Sequence, residues 1–182
     1  FYFSYALLSS SLGISSHLFF YILFLVTFTL RAADLVELRN LLFVAPNSEA
    51  TTKLIIEKTK YANESPAILM GFKATATMLM AKHVVLPTSK YAYFNEGRAL
   101  LEKAIKAMPY SIELRFLRFC VQCNTPSFLG YNGAILGDKI MLIGYLQSKV
   151  SKGDLDLKAR IKNYLLKSKK VNAVEKSNIK DL

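Results

Sequence analysis

The chain has 182 residues, 52% of them hydrophobic, and its 24 Lys and Arg against 13 Asp and Glu give a net charge of +11. That length suits one domain with a sizeable core. Two cysteines and a single histidine beyond residue 33 are too few for a four-ligand zinc site built of Cys and His.

No Asp, Glu, Lys or Arg occurs from Phe1 to Leu30, and Leu18 to Leu30 is an unbroken run of apolar residues and Thr. Its 13 residues suit a signal-peptide core better than a membrane span, which needs about 20. Ala32 and Ala33 supply the small residues of a cleavage site. A cleaved signal over residues 1–33 is therefore expected, with an uncleaved anchor through residues 18–30 as the alternative and a buried helix as the third reading. Only His17 precedes the run and the first Met is Met70, so Phe1 is not expected to be the natural start.

Cleavage would leave 23 basic and 13 acidic side chains. Helices are expected over Leu35–Ala45, with Leu35, Leu38, Leu41 and Leu42 inward, and from an Asn47 cap to about Ala62, with Ala50, Leu54, Ile55 and Tyr61 inward. Ser65-Pro66 opens a third helix that Pro87 stops. Its stripe Gly71, Ala74, Met78 and Ala81 admits a close neighbour, with Met filling irregular gaps.

The stretch Phe94–Phe119 carries the clearest pattern. Phe94, Gly97, Leu101, Ala104, Ile105 and Met108 share one helical face, while Arg98, Glu102 and Lys106 stand at surface ion-pair spacing. Met108-Pro109-Tyr110 breaks the helix, and Ser111 caps the next one, which ends near Asn124 before Thr125-Pro126. The segment 127–137, SFLGYNGAILG, is rich in glycine, and Phe128, Leu129 and Tyr131 in it require burial or a partner. A helix from about Asp138 to Val150 follows. Another, capped by Asp154, turns Leu157, Ile161, Tyr164 and Leu165 inward. From Lys149 to Leu182 there are ten Lys or Arg and four Asp or Glu, and residues 168–182 are expected to be a basic disordered tail.

Gly97, Leu101, Ala104 and Pro109 resemble the second helix and turn of a tetratricopeptide repeat, over roughly one helix and a turn. The preceding helix is longer than that family's first helix, and no second copy at a fixed period is visible. LVELRNL, TMLMAKH, ELRFLRF and PSFLGYN resemble segments of uncharacterised small bacterial proteins with export signals. Together these resemblances imply a repeat-like helical protein of the bacterial periplasm or envelope.

The chemistry-bearing residues are few. Cys120-Val121-Gln122-Cys123 lies late in a helix rather than at a helix start after a strand. Two buried thiols are expected there, with a disulfide as the alternative. His83 is expected to be a satisfied helix-end histidine; no GxSxG or HExxH motif accompanies it. Gly130–Lys139 lacks the ending of a P-loop, and Asn63-Glu64-Ser65 is a chance sequon. Arg115, Arg118 and Gln122 fall on one face of an otherwise apolar helix. They read either as a solvated stripe or, with Tyr131, as the wall of a groove that takes a carboxylate or peptide.

The sequence thus predicts an all-α fold: an irregular, repeat-like stack of antiparallel hairpins, about seven helices with no sheet, over residues 34–167. The expected role is an exported binding or scaffold module for a protein or peptide, without catalysis, cofactor or metal. Two alternatives are a membrane-surface protein held by the N-terminal anchor and basic C-terminal segment, and a small enzyme using His83 or Cys120 and Cys123. Nucleic acid is the least expected partner, because export removes the chain from it.

Overall fold

A computed structural model describes residues 35–60, 67–149 and 151–182. The chain divides into two units, Phe1–Arg39 and Asn40–Leu182. Residues 35–44 are helical (α1). Among the described residues of the second unit lie seven further α-helices: α2 (Glu49–Lys58), α3 (Ala67–His83), α4 (Pro87–Ala107), α5 (Ile112–Asn124), α6 (Ile135–Gln147), α7 (Leu155–Lys167) and α8 (Ala173–Lys180). The fold is all-helical, with no strand among the described residues.

Local chemistry sets most boundaries. Ala45–Asn47 forms a 3-10 turn closed by the Ser48 N–H on Ala45 O at 3.1 Å. That turn leaves Ser48 extended, so Ser48, not Asn47, caps α2 by accepting from Thr51 N at 3.1 Å. The buried face of α2 is correspondingly Thr52 and Ile55, while Leu54 and Ala50 are exposed. Thr52 tolerates burial because its hydroxyl donates to Ala45 O at 2.9 Å and Ser48 O at 3.0 Å. Tyr61, expected on that inner face, lies outside the described residues, as do the signal segment and the Ser65-Pro66 opening.

Helix α3 stops at His83, and Pro87 is the first residue of α4, where its missing N–H costs nothing. Met108 ends α4 with 41% exposure, outside the inward set. Ser111 accepts from Leu114 N at 3.4 Å and opens α5. A 3-10 turn at Ser127–Leu129 closes on Gly130, whose φ of 62° suits glycine. Helix α6 starts three residues earlier than the sequence suggests, so Gly137 and Asp138 are helical. Asp154 stands at the N-cap of α7 without a side-chain cap bond; its Oδ2 accepts from Ser151 Oγ at 2.7 Å instead.

Helix α3 is buried on most of its circumference, packing against α2, α4 and α5. Its contact with α4 is the most extensive in the fold and depends on missing side chains. A Cβ at Gly97 would stand 2.6 Å from Ala74 O and 2.9 Å from Met78 N, and one at Gly71 would collide with Leu114. A second core joins Phe119 of α5 to Leu142 and Leu146 of α6, Leu157, Ile161 and Leu165 of α7, and Val171 and Ile179.

Val171 and Ile179 belong to the stretch expected to be disordered. Residues 173–180 instead form α8. It is opened by a capping box in which Asn172 Oδ1 accepts from Glu175 N at 2.8 Å and Glu175 Oε2 from Asn172 N at 2.9 Å. Lysine density concealed two fully apolar anchors and a complete helix start.

Candidate functional site

Helix α5 carries Arg115, Arg118 and Gln122, and the structure does not leave them on a free face. Arg118 is only 7% exposed and Asp138, across on α6, is 0% exposed. Arg118 Nε and Nη2 donate to Asp138 Oδ2 and Oδ1 at 2.7 and 2.8 Å, a bidentate fork. Arg118 Nη1 donates to Glu102 Oε2 of α4 at 2.9 Å. Arg115 adds Nη1 to Asp138 Oδ1 at 3.0 Å and Nε to Pro109 O at 2.8 Å. Burial opposes the Arg118 charge, but the Asp138 hydrogen bonds and the charges of Asp138 and Glu102 outweigh it and raise the guanidinium pKa.

Tyr131 joins the same cluster from the loop before α6. Its hydroxyl donates to Glu102 Oε1 at 2.6 Å, and its ring meets the Phe94 ring edge-on at 5.9 Å. The Arg98 guanidinium lies 5.0 Å from the Tyr131 ring centre. Burial, then the bond to Glu102, pushes the Tyr131 phenol pKa up. The groove expected at Arg115, Arg118, Gln122 and Tyr131 is thus corrected to an internal staple joining α4, α5 and α6. The arginine forks already hold carboxylates of this chain, and Glu102 serves that staple rather than a surface pair with Arg98 or Lys106. Gln122 is buried, and its Oε1 has no hydrogen-bond partner among the described residues.

Cys120 and Cys123 are free thiols. Burial raises both pKa values, most strongly at Cys120, which keeps them protonated and poorly nucleophilic. His83 Nε2 lies 3.0 Å from Ala45 O and 3.2 Å from Thr52 Oγ1, so it ties the end of α3 to the start of α2. No group of three or more potential metal ligands occurs among the described residues. No described helix is long and apolar enough to cross a membrane.

A surface feature with recognition chemistry lies elsewhere, in a groove of about 260 Å³ across α2, α3 and α4. Ile56 of α2, Thr77 and Met80 of α3 and Tyr93 of α4 belong to its lining. Lys53 and Lys73 provide positive charge and Glu57 and Glu96 negative charge around them. The rim charges are loosely held: Lys53 pairs with Glu49 at 2.7 Å and Lys60 with Glu57 at 2.6 Å, each partner about half exposed or more. Exposed pairs of this kind contribute little, so an incoming charged group can replace them.

Sequence reasoning missed this groove because each rim residue reads singly as solvated helix surface. The usable signal was register: Lys53, Ile56 and Glu57 on α2, and Lys73, Thr77 and Met80 on α3, both at three- and four-residue steps. Comparison with protein-family models, curated proteins and solved structures found no match.

Proposed function

We propose that the chain is a binding module that takes an extended segment of a protein or peptide partner into the groove across α2, α3 and α4. One observation carries this reading: the groove sets apolar Ile56 and Met80 beside two lysines and two glutamates, of which Lys53 and Glu57 are held only in exposed ion pairs. A partner side chain buried at the centre supplies affinity, and the mixed rim fixes the direction of the segment. The resemblance to a tetratricopeptide-repeat hairpin supports the same role.

Export belongs to this proposal. The uncharged run Leu18–Leu30 followed by Ala32 and Ala33 supports delivery to a bacterial periplasm or envelope, and the partner is then sought there. An intact mass starting near Ala33 or Asp34, measured on protein from fractionated host cells, would support export; a species retaining Leu18–Leu30 in the membrane fraction would point to an anchor.

The groove is tested by charge exchange between half-buried Lys73 and exposed Glu96. A Lys73→Glu, Glu96→Lys variant should lose the partner recovered with the wild-type protein while keeping its helical signal and melting temperature. Undiminished capture by that variant sinks the groove assignment.

A further inference from the structure

We propose that the end of the second unit formed by the α1 terminus and the α3–α4 loop docks on an anionic lipid bilayer. The bond between His83 Nε2 and Ala45 O, 3.0 Å long, brings two short segments together. Just before Ala45 stand Phe43 and Val44, 82% and 50% exposed; just after His83 stand Val85 and Leu86, 88% and 64% exposed. Four large apolar side chains, two on each segment, therefore project into solvent. None belongs to either core or to the groove.

The charges flanking the α3–α4 loop are positive. Lys82 and Lys90, both exposed, flank the loop, and no Asp or Glu occurs from Ser65 to Asn95. Glu49, at the start of α2, is held by Lys53 at 2.7 Å. Projecting side chains flanked by ammonium groups suit a bilayer. Acyl chains accept Phe, Val and Leu without a shaped pocket, and lysine stems lie along the interface with their charges at the headgroup phosphates. Near an anionic surface each lysine strengthens binding by about five-fold. This inference is independent of the groove, which it would leave facing a partner from a membrane-bound position.

The chain contains no tryptophan, so one introduced residue reports its own surroundings in the full-length protein. Val85→Trp and, separately, Leu86→Trp are compared with Phe128→Trp, which replaces an aromatic side chain 84% exposed before α6. Vesicles of phosphatidylglycerol and phosphatidylcholine, and of phosphatidylcholine alone, carry brominated acyl chains as quenchers. The expected result is a blue shift and quenching at positions 85 and 86 on the anionic vesicles only, with position 128 unchanged. Adding Lys82→Gln and Lys90→Gln should raise the lipid concentration for half-maximal quenching on the order of twenty-fold.

Water-exposed, unquenched emission at both 85 and 86 overturns the proposal, whether or not the protein sediments with vesicles through another segment. Equal quenching at position 128, or equal quenching on neutral vesicles, overturns it as well.

Discussion

Two interfaces hold the second unit together by opposite means. Between α3 and α4 the backbones approach because Gly97 has no side chain, and the gap is filled by Ala74 and Met78. Between α5 and α6 a buried arginine grips a fully buried carboxylate, with Glu102 and Tyr131 closing the cluster. The first is a dispersion contact that tolerates no added volume. The second tolerates no lost charge, because a buried ion without its partner is far costlier than the pair. Rigidity and specificity therefore reside in different parts of one small fold, and the arginine forks of the second are taken up by carboxylates of the chain itself.

The largest test of that contrast is Asp138→Ala. It removes the bidentate partner of the buried Arg118 guanidinium, leaving it only the half-exposed Glu102, and should cost about 3–5 kcal/mol, read as a lower midpoint in urea unfolding. Replacing the pair together, Arg118→Met with Asp138→Leu, should be markedly less destabilising than the single change. A loss below about 1 kcal/mol for Asp138→Ala would show that the cluster is not a staple.

Next in size is Gly97→Ala, which drives a methyl group against the α3 backbone and should cost about 1–3 kcal/mol. Gly144→Ala is the matching control. It lies mid-helix in α6, where an added Cβ meets nothing within 4 Å, and should stabilise by about 0.5–1 kcal/mol. Thermal melts giving both variants the same sign would break the comparison.

The smallest expected effect is alkaline. Tyr131 must stay neutral to donate to Glu102, and its folded pKa is raised above the ordinary 10. The stability it contributes is therefore complete below pH 10 and is lost as pH rises from there towards the folded value. Tyr131→Phe should lower stability at neutral pH by about 1 kcal/mol and flatten the decline above pH 10. A decline of unchanged steepness in the variant would assign it to other groups.

These interfaces also separate what the sequence revealed from what it concealed. The glycine and small-residue stripe on α3, the inward face from Phe94 to Ile105 and the Ser111 cap were legible, because spacing and capping act within a few residues of themselves. The Arg118 staple was not. Its partner Asp138 lies 20 residues away, at the expected start of the helix after the glycine-rich stretch, so the two arginines read as a recognition face. Helix α8 was hidden by composition: Val171 and Ile179 are sparse among lysines, and only the fold shows that both reach the second core. The groove stayed invisible because it assembles charges from three helices, none unusual on its own.

The account turns on the difference between an exchangeable charged rim and an internally satisfied cluster. Its most direct test is a photo-crosslinking amino acid placed in host cells at Tyr93, beside the groove, and in parallel at Arg115, on the staple. The prediction is a discrete partner adduct from Tyr93 that disappears in the Lys73→Glu, Glu96→Lys background, with none from Arg115. A missing adduct at Tyr93, or one formed at Arg115 instead, would contradict it.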